Sequence, residues 1–301
     1  MKQIAILSGK GGTGKTMLTA SFASLETNAV WVDADVDAAN LHLLLRGKVL
    51  ETHGFSGGSK AWIDPSVCLE CGQCLSSCRF EAIRDSFEVD PIACEGCGLC
   101  ARLCPAGAIV MKEHPSGEWF VSSTSYGPFV HAKLGVAEGN SGKLVSKIRE
   151  KARQIAQEQK RDLVCIDGPP GIGCPVIASL SDVDKVLIVT EPTLSGVHDM
   201  ERILALVRKF RGTAVVAINK YDLNPEIAEH IGSICQAYGI ELAGKIPFSP
   251  TVEQAIRRGL PPVECCEEKV QKAIVTLWDR LRLKEAGVPV VNPGPAKKGA
   301  L

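Results

Sequence analysis

The stretch SGKGGTGKT, Ser8 to Thr16, decides the fold of this chain. It follows the apolar run KQIAIL and precedes a segment with helical character, residues 16–24, so it is predicted to form the turn between a strand and a helix. From Gly9 onward it matches the pattern G-x-x-x-x-G-K-[ST] in full. Glycines let backbone N–H groups curl around phosphate oxygens, and the helix N-terminus adds its dipole. The stretch therefore predicts a nucleotide-phosphate site.

Two side chains of this loop carry specific roles. Lys15 would bridge the β- and γ-phosphates, and the Thr16 hydroxyl would hold Mg²⁺. A plain Gly-rich turn before a helix is the alternative interpretation, which the complete motif in this context disfavours. The residues predicted to contact the nucleotide are Gly9, Lys10, Gly11, Gly12, Thr13, Gly14, Lys15 and Thr16.

Composition limits the classes of protein to which the chain can belong. Of 301 residues, 45% are hydrophobic and 23% are charged, which is typical of a globular protein with a substantial core. Lys+Arg and Asp+Glu both number 34, so the net charge is zero and no nucleic-acid partner is expected. The chain has no leader pattern and no apolar run near ~18 residues. We therefore expect a cytoplasmic protein without stable membrane insertion.

Apolar and amphipathic segments alternate along most of the chain. This alternation predicts an α/β fold with a doubly wound, mostly parallel sheet covered by helices on both faces. The predicted strands after the first lie at 29–32, 162–166, 185–189, 213–218 and 241–246, with a strand-like pattern also at 119–122, and the main helices at 142–159, 197–210, 224–238 and 267–282.

The cysteine-rich middle of the chain interrupts this alternation. Residues 54–60, GFSGGSK, are Gly/Ser-rich and predict a flexible boundary. The predicted domains are 1–57 and 116–285 for a nucleotide-binding domain in two parts, 58–115 for a small inserted α+β domain, and 286–301 for a flexible tail.

Eight of the 13 cysteines form two ladders with the same spacing. The pattern C-x2-C-x2-C-x3-C, repeated once, is that of bacterial two-cluster ferredoxins, in which the fourth cysteine of each run ligates the other cluster. It predicts two [4Fe–4S] clusters. The first would be held by Cys68, Cys71, Cys74 and Cys104, and the second by Cys94, Cys97, Cys100 and Cys78.

Other uses of these cysteines fit the spacing less well. Zinc ribbons use two CxxC pairs rather than four plus four cysteines. Disulfides are not expected in a reducing compartment. The ladders depart from the ferredoxin pattern at one point, because Arg79 follows Cys78 where ferredoxins usually place proline.

The loop GKGGTGKT also resembles the deviant Walker A loop of the MinD/ParA/Mrp ATPases, members of the SIMIBI type of P-loop NTPases. In that family the early lysine, here Lys10, reaches across a dimer to the partner subunit's phosphates. The segment VDADVDAANL is similar to the family's switch I, and Asp35 matches its catalytic aspartate, which positions water. Asp33 and Asp37 are near alternatives.

The resemblance extends through the C-terminal half. Asp167 in DLVCIDGPPG matches the Walker B aspartate, which holds Mg²⁺ through water, and 168–171 match switch II. Asn219 in INKYDLN matches the family's adenine-recognition asparagine, and Pro247 lies in the segment that contacts the base. Asp222 has the spacing of the guanine-reading NKxD motif, so GTP is a minor alternative to ATP.

Five cysteines lie outside the ladders. Cys165, Cys235, Cys265 and Cys266 are expected to be structural or incidental. Cys174, in GIGCPV, lies close to the position where the nitrogenase iron protein, a relative in this superfamily, bridges a cluster between subunits. A small residue opening a helix is the plainer interpretation of Cys174.

As a whole, the chain resembles MinD-superfamily ATPases with an inserted ferredoxin domain. The resemblance implies slow Mg-ATP hydrolysis by a homodimer, or by a heterodimer with a paralogous ATPase, with Lys10 and Lys15 both needed. Nucleotide state would be coupled to electron transfer or iron–sulfur handling, with a redox or iron–sulfur partner protein. The alternatives are an Mrp-like iron–sulfur carrier and a MinD-like ATPase of spatial organisation.

Overall fold

The computed structural model describes residues 1–135, 138–139 and 141–282. Within them, nine strands form one sheet. The strands are β1 (Lys2–Ser8), β2 (Ala29–Asp33), β3 (Lys48–Ile63), β4 (Ile109–Thr124), β5 (Gly127–Leu134), β6 (Leu163–Pro170), β7 (Lys185–Thr190), β8 (Thr213–Asn219) and β9 (Glu241–Ile246). Their order across the sheet is β3-β4-β5-β2-β6-β1-β7-β8-β9.

Most of this sheet is parallel, as the sequence predicts. Every pair from β5 through β2, β6, β1, β7 and β8 to β9 is parallel. The pairs β3–β4 and β4–β5 are antiparallel and form one edge. Strands β2 and β7 are buried along their whole length, because helices cover both of their faces.

Helices pack on both faces of the sheet. The α-helices of the described residues are α1 (Lys15–Leu25), α2 (Leu41–Leu45), α3 (Gln73–Ser77), α4 (Leu99–Leu103), α5 (Ser141–Glu158), α6 (Cys174–Leu180), α7 (Leu194–Val207), α8 (Pro225–Ala237), α9 (Pro250–Arg257), α10 (Pro262–Cys265) and α11 (Glu268–Arg282). Of these, α3 and α4 lie in the cysteine segment. Helices α5 to α8 contribute to one apolar core, and α1, α2, α9 and α11 contribute to the other. The doubly wound α/β architecture is thus confirmed.

Strands β3 and β4 form a long antiparallel hairpin, of which the sequence pattern predicted only residues 119–122 as a strand. Each has 16 residues. The prediction of a flexible boundary at 54–60 is wrong, because these residues run along β3 in register with β4. The register shifts between Phe55 and Ser56 and between Ser56 and Gly58. Such bulges bend the pair of strands, and here they coincide with the glycine and serine residues of the segment.

The hairpin carries the cysteine segment at its far end. The predicted domain limits at 57/58 and 115/116 fall inside its paired strands, and the division into domains stays a prediction. The tail at 286–301 lies outside the described residues. In the part of the chain that the structure describes, no helix is long and apolar enough to cross a membrane.

Candidate functional site

The phosphate loop leaves the carboxyl end of β1 near the middle of the sheet and enters α1 at Gly14. Gly14 has φ 97°, and a Cβ there would lie 2.4 Å from Asn219 Nδ2. Gly12 has φ 80°, another conformation that favours glycine. Gly11 and Gly12 are exposed, so the loop backbone is open to a ligand. Backbone geometry and exposure both suit a phosphate cradle.

Lys15 is almost completely buried beneath this loop. Its Nζ donates a hydrogen bond to Ser8 Oγ at 2.7 Å, and the Ser8 hydroxyl donates in turn to the Lys10 carbonyl at 2.6 Å. Burial lowers the pKa of Lys15, and the charges of Asp167, Asp35 and Asp33 partly offset this effect. The ammonium is therefore held close to three carboxylates at the ends of two adjacent strands.

Asp167 has one carboxylate oxygen without a hydrogen-bond partner, as expected of a carboxylate that binds a metal ion. It is 1% exposed, and its Oδ1 accepts a hydrogen bond from Thr19 Oγ1 at 3.2 Å. Its Oδ2 is buried without a hydrogen-bond partner. Burial raises the pKa of Asp167 to about 6, although the charge of Lys15 and the hydroxyls of Thr16 and Thr19 act against this rise. The carboxylate and the Thr16 hydroxyl form an oxygen donor set that fits Mg²⁺.

The three aspartates after β2 have different environments. Asp33 is fully buried, and it accepts hydrogen bonds from the backbone N–H groups of Leu41 at 3.0 Å and Asp35 at 3.1 Å. Burial and the charge of Asp167 raise its pKa well above the usual value. Asp35 is half-buried, and Asp37 is exposed. Asp33 therefore holds the loop after β2 in place, whereas Asp35 interacts electrostatically with Lys15.

Lys10 is held within its own chain. Its Nζ lies 3.6 Å from Glu191 Oε2 and 3.4 Å from Ser195 Oγ. Glu191 also pairs with Lys220 at 2.6 Å. The lysine side chain is 34% exposed, so it remains accessible at the edge of the phosphate loop.

The predicted base-binding residues lie at the carboxyl ends of β8 and β9. The amide of Asn219 donates to the Thr13 carbonyl at 2.9 Å, and its oxygen accepts from the Lys220 N–H at 3.0 Å. Pro247 is half-buried, and the Phe248 N–H donates to Asp222 Oδ1 at 2.7 Å. Asp222 therefore fastens the loop after β9.

The predicted switch II, 168–171, is not a loop throughout, because residues 168–170 form the end of β6. A Cβ at Gly168 would lie 2.2 Å from Leu7 Cδ2, and Gly171 has φ 89° and donates to the Ser8 carbonyl at 2.9 Å. Cys174 is exposed at the first residue of α6. Cys165, Cys235 and Cys266 are buried, whereas Cys265 is exposed.

Two contacts of the site escaped the sequence reasoning, namely those of Ser8 with Lys15 and of Glu191 with Lys10. Both residues occupy strand ends, since Ser8 ends β1 and Glu191 follows β7. In a parallel sheet, ligands bind at the carboxyl ends of the strands. The same signal that singled out Asp35 and Asp167 could therefore have found them.

The two cysteine ladders fold as a structural repeat. The Cys68 N–H donates to the Asp64 carbonyl at 3.1 Å, and the Cys94 N–H donates to the Asp90 carbonyl at 3.0 Å. Gly72 and Gly98 have φ values of 76° and 73° and precede α3 and α4. Cys78 and Cys104 follow these helices in extended conformations.

Backbone pairing crosses the two halves of this repeat. The Asp64 N–H donates to the Ala108 carbonyl at 2.8 Å, and the Asp90 N–H donates to the Ala82 carbonyl at 2.7 Å. The segment before each ladder thus pairs with the segment after the other ladder. This crossing brings the last cysteine of one ladder toward the first three of the other.

The thiols follow the same crossing. Burial raises the pKa of Cys74, and the nearby Cys68 and Cys104 thiols act in the same direction. Burial likewise raises the pKa of Cys100, with Cys94 and Cys97 as neighbours. A cavity of about 280 Å³ is lined by Cys78, Cys94, Cys97 and Cys100 together, and Cys74 of the first group also reaches it.

The chemistry of the ladders is that of thiol donors. All eight cysteines are free, and the Ala108 N–H donates to Cys104 Sγ at 3.3 Å. Among the described residues, no group of three or more His, Cys, Asp or Glu side chains is arranged to hold a metal ion. A four-iron cube separates its thiolates more widely than one ion does. The donor type and the crossed grouping fit such a cube.

Comparisons with known proteins agree with the nucleotide site. The CobQ/CobB/MinD/ParA nucleotide binding domain family matches residues 4–263. The uncharacterized protein MJ0578 of Methanocaldococcus jannaschii is 34% identical over 288 residues, which cover 93% of this chain and 96% of that protein. An iron-sulfur cluster carrier protein of Pyrococcus horikoshii is 24% identical over 303 residues, which cover 94% of this chain and 87% of the carrier.

A solved structure has the same fold. The septum site-determining protein MinD of Pyrococcus horikoshii, complexed with Mg-ADP, superposes with a TM-score of 0.57 at 18% identity, and the match covers 93% of this chain and 96% of that chain. At this identity the likeness shows the fold, whereas the family match spans most of the sequence. The chain belongs to the CobQ/CobB/MinD/ParA nucleotide-binding family and is a MinD/ParA-like ATPase.

Proposed function

We propose that this protein binds and slowly hydrolyses Mg-ATP as a dimer and couples its nucleotide state to two [4Fe–4S] clusters. The observation that carries the ATPase part is the buried, unpartnered Oδ2 of Asp167 beside Thr16 and Lys15. A vacant carboxylate oxygen next to a hydroxyl and an ammonium suits Mg²⁺ and phosphate together.

In this proposal each residue of the nucleotide site has one task. Lys15 and the N–H groups of the loop bind the β- and γ-phosphates. Thr16 and Asp167 hold Mg²⁺, and Asp35 orients the attacking water. Lys10 leaves Glu191 and reaches the phosphates of a second subunit, which is a second copy or a paralogous ATPase.

Adenine is the proposed base. Asp222 accepts the Phe248 N–H, so Oδ1 of its carboxylate is already engaged by the protein. A guanine reader needs that carboxylate free for the base. This contact supports ATP over GTP, with Asn219 and Pro247 beside the base.

The iron–sulfur part of the proposal rests on the crossed grouping of the eight thiols. When bound, each cluster would accept and donate one electron at a time. Cys68, Cys71, Cys74 and Cys104 would hold the first cluster, and Cys94, Cys97, Cys100 and Cys78 would hold the second. Eight ligands in one compact repeat support clusters that stay with the chain.

A second candidate function is that of an iron–sulfur carrier. It is favoured by the similarity to the carrier of Pyrococcus horikoshii, which extends over 94% of this chain. A carrier would release its iron to an apo-protein, whereas a redox protein would keep it. Mixing the loaded protein with an apo-ferredoxin, with and without ATP, separates the two functions by the iron that moves.

The decisive experiment combines two measurements on anaerobically purified protein. We expect about eight irons per chain, because two cubes hold four each. We also expect Mg-dependent ATP hydrolysis that Lys15→Gln and Lys10→Gln abolish. Lys147→Gln, an exposed change on α5, is the matched control and should leave the rate unaltered. Zinc in place of iron, or unchanged hydrolysis by Lys15→Gln, would refute the corresponding half of the proposal.

A further inference from the structure

Lys60, on β3, contacts two separate parts of the molecule at once. Its Nζ donates to the carbonyl of Pro91, in the loop that leads to Cys94. It also lies 3.1 Å from Glu138 Oε1, just before α5. The side chains of Lys60 and Glu138 are only 16% and 13% exposed. Lys60 therefore bridges the second cysteine ladder and the nucleotide-binding part of the chain.

The surroundings of Glu138 favour its charged form, and hence its ion pair with Lys60. Burial alone would raise its pKa, but the hydrogen bond and charge of Lys60 outweigh burial, and the pKa lies below its usual value. Ser116 and His114 contribute in the same direction, and His114 Nε2 lies 3.2 Å from the carboxylate. An ion pair this sheltered from water is stronger than an exposed one.

A continuous chain of hydrogen bonds joins the Glu138 segment to switch I. The Leu134 N–H donates to the Val36 carbonyl at 3.0 Å, one residue after Asp35. The Gly135 N–H then donates to the Ser116 carbonyl on β4 at 2.8 Å, and the Glu138 N–H donates to the Gly135 carbonyl at 3.2 Å. A displacement of switch I would therefore act on the end of β5, and through the hydrogen bond of Gly135 on the segment that carries Glu138.

At the other end of the bridge, the second ladder lies directly against β3. A Cβ at Gly96 would lie 2.2 Å from the Ser59 carbonyl, so the backbone of the ladder touches the strand. A cavity of about 370 Å³ beside this contact is lined by Lys60, Cys94, Glu95 and Glu138, among others. Of the eight ladder cysteines, Cys94 is the one that lines it.

We propose that Lys60 is the positioning residue that transmits the position of switch I to the loop 91–96, so that the second cysteine group responds to nucleotide. This inference rests on the proposed ATP and cluster function. In the proposed function switch I changes position with the nucleotide, and the Lys60–Glu138 pair supplies the physical connection.

Lys112 provides a matched control. It is the direct cross-strand partner of Lys60 in the hairpin, so both side chains stand on the same face. Its Nζ lies over the ring of Trp62, 3.2 Å from the centroid, and not on Glu138. Lys112→Met removes the same charge from the same face of the hairpin but leaves the bridge intact.

The test is hydrogen exchange of residues 92–97 in the full-length protein, with ADP and with a non-hydrolysable ATP analogue. In the unmodified protein we expect the exchange rate of this segment to differ between the two nucleotides by at least about fivefold, the lower end of ordinary coupling between sites. Lys60→Met should lose that difference, and Lys112→Met should retain it. Glu138→Gln, which removes the partner charge, should also lose it.

The outcomes separate this inference from the proposed function. A nucleotide-dependent difference retained in Lys60→Met and Glu138→Gln would overturn it, as would an equal loss in Lys112→Met. Nucleotide binding without any difference in the unmodified protein would overturn the inference alone. Absence of nucleotide binding would overturn both, and iron content, measured on the same samples, tests the clusters independently.

Discussion

Asn219 donates a hydrogen bond from its side-chain amide to the Thr13 carbonyl at 2.9 Å, inside the phosphate loop. The residue ends β8 and is 3% exposed. A Cβ on Gly14 would collide with the same amide at 2.4 Å. The shape of the phosphate loop therefore depends on a residue two strands away, which the sequence resemblance had linked to the base alone.

Asn219→Asp tests this contact. A carboxylate in place of the amide would face the Thr13 carbonyl with no proton to donate, leaving a buried acceptor unsatisfied at a cost of about 1–3 kcal/mol. We expect Mg-ATP affinity, measured by titration calorimetry, to fall roughly tenfold or more. Asn224→Asp is the control, because Asn224 caps α8 and aspartate caps equally well. Equal affinities for the two variants would contradict the assignment.

Asp35→Ala should separate hydrolysis from binding. Asp35 is half-buried and lies within the electrostatic field of Lys15, whereas Asp37 is exposed two residues later. If Asp35 orients water, its removal should slow ATP hydrolysis by roughly 10²–10⁴-fold while Mg-ATP affinity changes little. Single-turnover hydrolysis and equilibrium binding measure the two effects. Asp37→Ala should hydrolyse ATP at the rate of the unmodified protein. Slow hydrolysis by Asp37→Ala would instead assign the catalytic role to Asp37.

The strands and helices that position this site were predictable because their signals are local. The phosphate loop, the strand that contains Asp167 and the helix over 268–282 can each be recognised within a short window of sequence. Most of the β3–β4 hairpin escaped because bulges and the Gly/Ser-rich residues 54–60 interrupt its period-two apolar pattern, although alternate residues such as Ala61 and Ile63 are buried. The Lys60–Glu138 pair joins residues 78 positions apart, a separation that no local pattern encodes.

Two double variants test the crossed grouping of the cysteines. Cys74 has Cys68 and Cys104 as neighbouring thiols, and Cys78 lines the same cavity as Cys94, Cys97 and Cys100. Cys68→Ala with Cys104→Ala should damage one cluster and leave about four irons. Cys68→Ala with Cys78→Ala should damage both clusters and leave fewer than about four. Iron analysis and electron paramagnetic resonance of the reduced proteins measure the difference.

A single variant, Cys174→Ala, gives the iron content with which the two double variants are compared. Cys174→Ala serves as the control for the loss of an exposed thiol outside the ladders, and it should keep about eight irons. The opposite ranking, in which the pair with Cys78 retains more iron than the pair with Cys104, would show that each ladder holds its own cluster. Iron lost in Cys174→Ala would instead assign Cys174 a share in cluster binding.

His131, on β5, is expected to lower the free energy of unfolding at acidic pH. Its ring stacks on Phe129 at 4.6 Å and on Phe120 at 4.9 Å between centroids. Burial, and then the charge of His42, lower its pKa from 6.5 to about 4. The unfolded chain therefore binds a proton at a higher pH than the folded chain does. The contribution of His131 to stability is complete above about pH 6.5 and is lost as the pH falls toward about 4.

His131→Gln removes this titration. Since one pKa unit corresponds to about 1.4 kcal/mol, the lowered pKa accounts for at most about 3 kcal/mol of the free energy of unfolding between pH 6.5 and 4. Urea denaturation of the nucleotide-free protein at pH 7, 6, 5 and 4 should therefore give a flatter profile for His131→Gln. His230→Gln, an exposed change on α8, should keep the original slope. Parallel profiles for all three proteins would mean that the imidazole is already protonated in the folded state, because only an uncharged ring makes folding release this proton.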